Sequence, residues 1–235
     1  MNNTKIVLCL AATIVSTFLL HNLWGVNYLI SLGGTIGLFL TIPLCVQILR
    51  KESEQNPLTI FLWSMLDSVA AGSIYLEGGN YIQAVCLSAS GLIVVTCILK
   101  TDGLKKWIKR WSEFETLVSL LVVFCITVWV SSGNVMAALA SISALMIASI
   151  PQTLDTIKKP DTTPTIIYIG YTVSNFLATL GGNEISIVEI GYPFSGFLIC
   201  VVITYFSIRK KQLAAFFVWW SAYYFSFWKK VIKIV

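Results

Sequence analysis

Charge is scarce in this chain. Only 11% of its 235 residues are Asp, Glu, Lys or Arg, against roughly 25% in an ordinary soluble domain. Histidine is nearly absent. His21 stands alone, and one imidazole is not a metal site. The six cysteines, Cys9, Cys45, Cys86, Cys97, Cys125 and Cys200, form no CxxC pair and all fall in apolar runs, where they read as small buried hydrophobes. There is no HExxH spacing, no Gly-rich phosphate loop and no nucleophile beside a base. Intramembrane enzyme chemistry and nucleotide-driven pumping are therefore unsupported, and neither a cofactor nor a metal is expected.

Apolar residues make up 57% of the chain, and the mean hydropathy is +0.82. This is the composition of a bilayer protein with no room for a separate soluble domain. The net charge of +5 sits in short turns between apolar runs, as headgroup anchors do, and is not a nucleic-acid signal.

Eight runs approach the 20 or so residues needed to cross the hydrocarbon layer. They are 5–24 (A), 27–50 (B), 57–77 (C), 79–100 (D), 112–132 (E), 134–157 (F), 162–182 (G) and 184–208 (H). Backbone polar groups find no water in lipid, so each run is expected to be helical and the fold all-α and polytopic. Run A lacks a small-x-small cleavage site and reads as a retained helix, not a signal peptide. Lys and Arg cluster in alternate turns: Arg50 and Lys51, Lys100 to Arg110, Lys158 and Lys159, Arg209 to Lys211. With Lys5 these place thirteen of sixteen basic residues on one side. The positive-inside rule makes that side cytosolic, with the N-terminus, in a cell (inner) membrane.

About fifty residues recur at an offset of 108 positions. Pro43 pairs with Pro151, Gly25 with Gly133, Trp63 with Tyr171, Ser64 with Thr172, and Asp67 with Asn175. Four spans per copy make the copies parallel. The expected layout is an extra N-terminal helix (1–26), a first three-helix repeat (27–100), an amphipathic linker (101–111), a linker span (112–133) and a second three-helix repeat (134–211). In the linker, Leu104, Trp107, Ile108 and Trp111 oppose Lys105, Lys106, Lys109 and Arg110. The aromatic tail, 212–235, reads as an interfacial helix or a ninth span.

Pro43 and Pro151 lie one to two turns from the basic ends of B and F. They read either as static kinks or as a pair of hinges. Gly33 and Gly37 form a small-xxx-small face in B, with Ser141, Ala144 and Ala148 as its counterpart in F. Asp67 lies mid-span in C, and an intramembrane acid is a functional candidate by default. The bland alternative is a buried hydrogen bond between helices. Trp63, one turn away, and the matching Tyr171 and Asn175 suggest two walls of one pocket. Ser90–Gly91 and Ser195–Gly196 lie deep in D and H. Glu189 is a second acid within a span, nearer the outer mouth.

Ile150–Pro151–Gln152 at a helix end, followed by a basic turn and a second helix, resembles the PQ-loop repeat of the SWEET, SemiSWEET and cystinosin-like carriers, over about residues 27–208. The first copy is degenerate, with Leu44 after Pro43 and glutamine only at Gln47, and helix A is extra to the family pattern. The resemblance implies two three-helix units joined by linker E. It also implies that the third helix of each unit lines the pocket, and that Leu66–Asp67 with Gly72 matches the intramembrane acid of proton-coupled members. The expected activity is secondary transport or facilitation of a small polar solute (a sugar, an amino acid or a vitamin-like molecule). In that reading Trp63, Asp67, Tyr171, Asn175, Ser90 and Ser195 bind the solute, Asp67 and Glu189 are the proton-coupling candidates, and Pro43 and Pro151 are the hinges. The alternative is a receptor or partner-binding protein on the same scaffold. Expected partners are the solute and the bilayer, with no nucleic acid; a homo-oligomer stays open.

Overall fold

The computed structural model of the chain describes residues 15–17, 27–76, 78–104, 108, 111–131, 134–182 and 190–209. Among these the structure is helical, with no strand. The eight α-helices are α1 (Tyr28–Leu49), α2 (Pro57–Leu76), α3 (Ile82–Asp102), α4 (Glu113–Ser131), α5 (Asn134–Ala148), α6 (Ile150–Lys158), α7 (Thr165–Leu180) and α8 (Gly191–Ile208). A single 3₁₀ turn, Pro160–Thr162, joins α6 to α7.

Four of the described helices, α1, α2, α3 and α8, are long and apolar enough to cross a membrane. At 1.5 Å per residue, the 22 residues of α1 reach roughly 33 Å, slightly more than a hydrocarbon core of about 30 Å. Residues 115–128 and α7 are shorter apolar helices. Large apolar side chains face outward along the helices. On α7 these are Ile166, Ile169, Val173, Phe176 and Leu180, a continuous exposed stripe. In water such a stripe would be an association site, whereas in lipid it is an ordinary outer wall.

Local chemistry accounts for the helix ends. The Asn27 side chain accepts the Leu29 N–H at 2.9 Å and caps α1. Gly103, at φ +76°, ends α3 two residues beyond the boundary expected at residue 100. Run F departs from expectation, because its helix is interrupted at Ser149 and resumes as α6. The Ser149 hydroxyl donates to the Met146 carbonyl at 2.6 Å, and Pro151 has no N–H to give to the preceding turn. Together they break the ladder. Pro43, by contrast, lies within an unbroken α1. The two prolines are thus not equivalent in this conformation.

The helices close into a ring. α1 packs on α3, α3 on α2, α2 on α5, α5 and α6 on α8, α8 on α7, and α7 back on α1. α4 packs against α5 outside this ring. The α1–α7 contact is close because a Cβ on Gly33 would stand 2.5 Å from the Ser174 carbonyl oxygen, and the Ser174 hydroxyl donates to the Gly33 carbonyl at 2.7 Å. Ala144 and Ala148 are fully buried in the core. Among the described residues there are two apolar clusters, and both Trp63 and Tyr171 pack against each of them.

Run A is described only at residues 15–17, where Thr17 shares a 2.8 Å hydrogen bond with Thr35 of α1. Glu189, the tail 212–235 and much of the 101–111 segment lie outside the described residues.

Candidate functional site

A cavity of about 90 Å³ lies at the centre of the ring, several times the roughly 10–15 Å³ that one water needs. All six ring positions contribute to its wall: Leu44 from α1, Trp63 and Asp67 from α2, Ser90 and Gly91 from α3, Leu145 from α5, Tyr168, Tyr171 and Asn175 from α7, and Tyr192 and Gly196 from α8. Five of the six solute-binding candidates, Trp63, Asp67, Ser90, Tyr171 and Asn175, therefore meet at one void. The pocket is built from α1 and α5 as well, not only from runs C, D, G and H.

Asp67 is 7% exposed. Its Oδ1 accepts a hydrogen bond from the Tyr192 hydroxyl, which ties α2 to α8. Among the described residues no Lys or Arg forms an ion pair with it. A buried carboxylate without a counter-charge is expensive and is kept where it has a use. The bond to Tyr192 also meets the bland expectation of an interhelical lock, so Asp67 serves both geometries at once.

Asn175 is committed to the protein. Its Oδ1 accepts from Gln83 Nε2 at 2.9 Å, and its Nδ2 donates to the Tyr171 carbonyl at 2.9 Å. Gly196 permits this placement, because a Cβ there would lie 2.6 Å from Asn175 Oδ1. Ser90 bonds to Thr41 of α1 and, at 3.2 Å, to the Tyr171 hydroxyl. A polar line thus runs from α1 through α3 to α7. Ser195 does not line the cavity. It is buried and turns back to donate to the Tyr192 carbonyl at 2.6 Å. Trp63 lines the cavity, but its Nε1 is buried out of reach of the open space and has no hydrogen-bond partner.

A second cavity, about 310 Å³, opens at the end of the bundle that carries Lys158 and Lys159. One hydrogen bond joins the walls of the two cavities, and a second lies at the basic end. The Tyr168 hydroxyl, on the central wall, donates to Gln55 Oε1 at 2.7 Å, and Gln55 lines the second cavity. The Asn56 N–H donates to Gln152 Oε1 at 2.7 Å. Asn56 Nδ2 reaches both Asp155, at 3.0 Å, and Glu115 of α4, at 3.3 Å. The Lys159–Glu54 pair, 3.1 Å apart, is exposed and contributes little.

Among the described residues no group of three His, Cys, Asp or Glu side chains is spaced to hold a metal. Cys45, Cys86, Cys97 and Cys200 are free thiols. Sequence reasoning missed Tyr168, Tyr192, Thr41 and Gln55. Tyr168 carried a weak signal, one turn before Tyr171 on the same face. Tyr192 carried none, since the position 108 residues earlier is Ala84.

No family model matches the chain, and neither a curated protein nor a solved structure matches it.

Proposed function

We propose that this chain is a secondary carrier or facilitator of a small polar solute on a PQ-loop-like scaffold. One observation carries the reading: a cavity at the centre of a six-position helical ring, walled by aromatic side chains and holding a buried carboxylate. Carriers of this kind bind their solute near mid-membrane, between two bundles.

The pattern of helix contacts supports a duplicated, parallel architecture. Exchanging α1, α2 and α3 for α5–α6, α7 and α8 leaves the ring unchanged: α1–α3–α2 becomes α5–α8–α7, and α2–α5 becomes α7–α1. Eight spans in a cell (inner) membrane with a cytosolic N-terminus agree with the distribution of Lys and Arg. In this reading the bundles rock against each other. The helix broken at Ser149–Pro151 is the more mobile of the two proline sites, and the Tyr168–Gln55 and Asn56–Gln152 bonds close the basic end.

Asp67 then couples solute movement to a proton or pairs with a cationic group of the solute. The test is counterflow. Full-length protein is reconstituted in proteoliposomes loaded with a labelled metabolite extract, and efflux is followed by mass spectrometry. Selective, protein-dependent efflux is expected, together with concentrative uptake of the same solute under an imposed proton gradient, which Asp67→Asn abolishes. Saturable binding without any flux would favour a receptor over a carrier.

A further inference from the structure

Most polar atoms at the central cavity are already engaged by the protein. Asn175 is bonded to Gln83 and to the Tyr171 carbonyl. Ser90 is held between Thr41 and Tyr171, and Tyr168 gives its proton to Gln55. One capacity is left over. An ionised carboxylate accepts about four hydrogen bonds, and Asp67 has one protein partner, on Oδ1.

Around Asp67 the wall is aromatic: Trp63, about one turn earlier on the same face of α2, with Tyr168, Tyr171 and Tyr192. Ring faces attract cations, most strongly where water is excluded. An anionic solute would meet an ionised Asp67 as a like charge, and a neutral polyol would leave that carboxylate without a counter-charge. A cation supplies one.

We infer that the cavity takes a small primary ammonium, bound to Asp67 within the aromatic wall. This rests on the carrier reading for the premise that the cavity holds a solute, and it names that solute's class.

The probes are tyramine and tyrosol, which share ring, phenol and chain length and differ only in ammonium against hydroxyl. Binding to the full chain in detergent is measured by ligand-dependent thermal stabilisation. Tyramine is expected to bind about tenfold or more tightly than tyrosol, as a charge-assisted bond exceeds a neutral one. Asp67→Asn, which keeps an acceptor for Tyr192, brings the ratio to about one. Equal binding by the unmodified protein, no tyramine binding, or a preference that survives Asp67→Asn each overturns the inference, and the first two need no variant.

Tyramine counterflow in proteoliposomes separates this from the parent reading. Binding preference without flux keeps the ammonium site and removes the carrier. Flux of neutral solutes with no tyramine preference does the reverse.

Discussion

Gln152, the residue after Pro151, accepts the backbone N–H of Asn56 at 2.7 Å and is itself fully buried. A side chain from α6 thereby satisfies one of the free N–H groups at the start of α2, ninety-six positions away in the chain. Gln152→Leu should leave that N–H buried and unpaired, at a cost of about 1–3 kcal/mol. Gln152→Glu keeps an acceptor oxygen and should cost less, provided the pH is low enough to keep its buried carboxyl, near Asp155, protonated. Thermal unfolding of the two variants in the same detergent decides the order; equal losses would show that the bond contributes little.

Gly33 and Gly72 make opposite predictions. Alanine at Gly33 would place its Cβ 2.5 Å from a backbone oxygen of α7, which cannot move without shifting the helix. A loss of about 1–3 kcal/mol is expected. Nothing lies within 4 Å of a Cβ at Gly72 on the surface of α2. Gly72→Ala should be neutral or stabilising by up to about 1 kcal/mol through helix propensity. Paired melting curves check both.

Asp67 can be separated into a structural and a chemical part. Asp67→Asn preserves an oxygen for the Tyr192 hydroxyl, so its stability should change by less than about 1 kcal/mol. Asp67→Leu orphans that hydroxyl inside the bundle, and about 1–3 kcal/mol should be lost. If the Asn variant unfolds as readily as the Leu variant, the carboxylate's charge is needed for folding.

Tyr168→Phe removes the hydroxyl that bonds Gln55 at the floor of the central cavity. Access from the basic end should rise. Cys200 lines the same cavity and is buried, so it reports that access in a background where the other five cysteines are replaced. A membrane-impermeant maleimide added on the basic side should label Cys200 several times faster in the Phe variant. Unchanged labelling would mean that this bond is not part of the closure.

Gly196→Ala tests how the α7 wall is held. The new methyl would stand 2.6 Å from Asn175 Oδ1, displacing the amide from Gln83. Because Asn175 also holds the Tyr171 carbonyl, affinity for any cavity ligand should fall together with a stability loss of about 1–3 kcal/mol. Affinity that is unaffected while stability drops would exclude Asn175 from shaping the cavity.

Much of the wall was legible from residue types alone. Trp63, Asp67, Tyr171 and Asn175 stood out because lipid makes polar and amphipathic side chains in mid-span costly, and because each had a counterpart 108 positions away. Ser90 and Ser195 looked alike in sequence but diverge in the fold, since a serine hydroxyl can be satisfied by its own helix and Ser195 takes that option. Tyr192 and Gln55 were invisible because their partners, Asp67 and Tyr168, lie more than a hundred residues away.

Composition and hydropathy by themselves determined that the described chain is helical, with apolar stretches long enough for a membrane, because backbone groups in lipid have no partner but one another. They also located the acid and the prolines. The ring order, the break at Ser149 against the continuity at Pro43, and the shared cavity were decided only by tertiary packing. Those depend on close approaches at single glycines and on hydrogen bonds between distant helices, and no local pattern encodes which helix will stand opposite which.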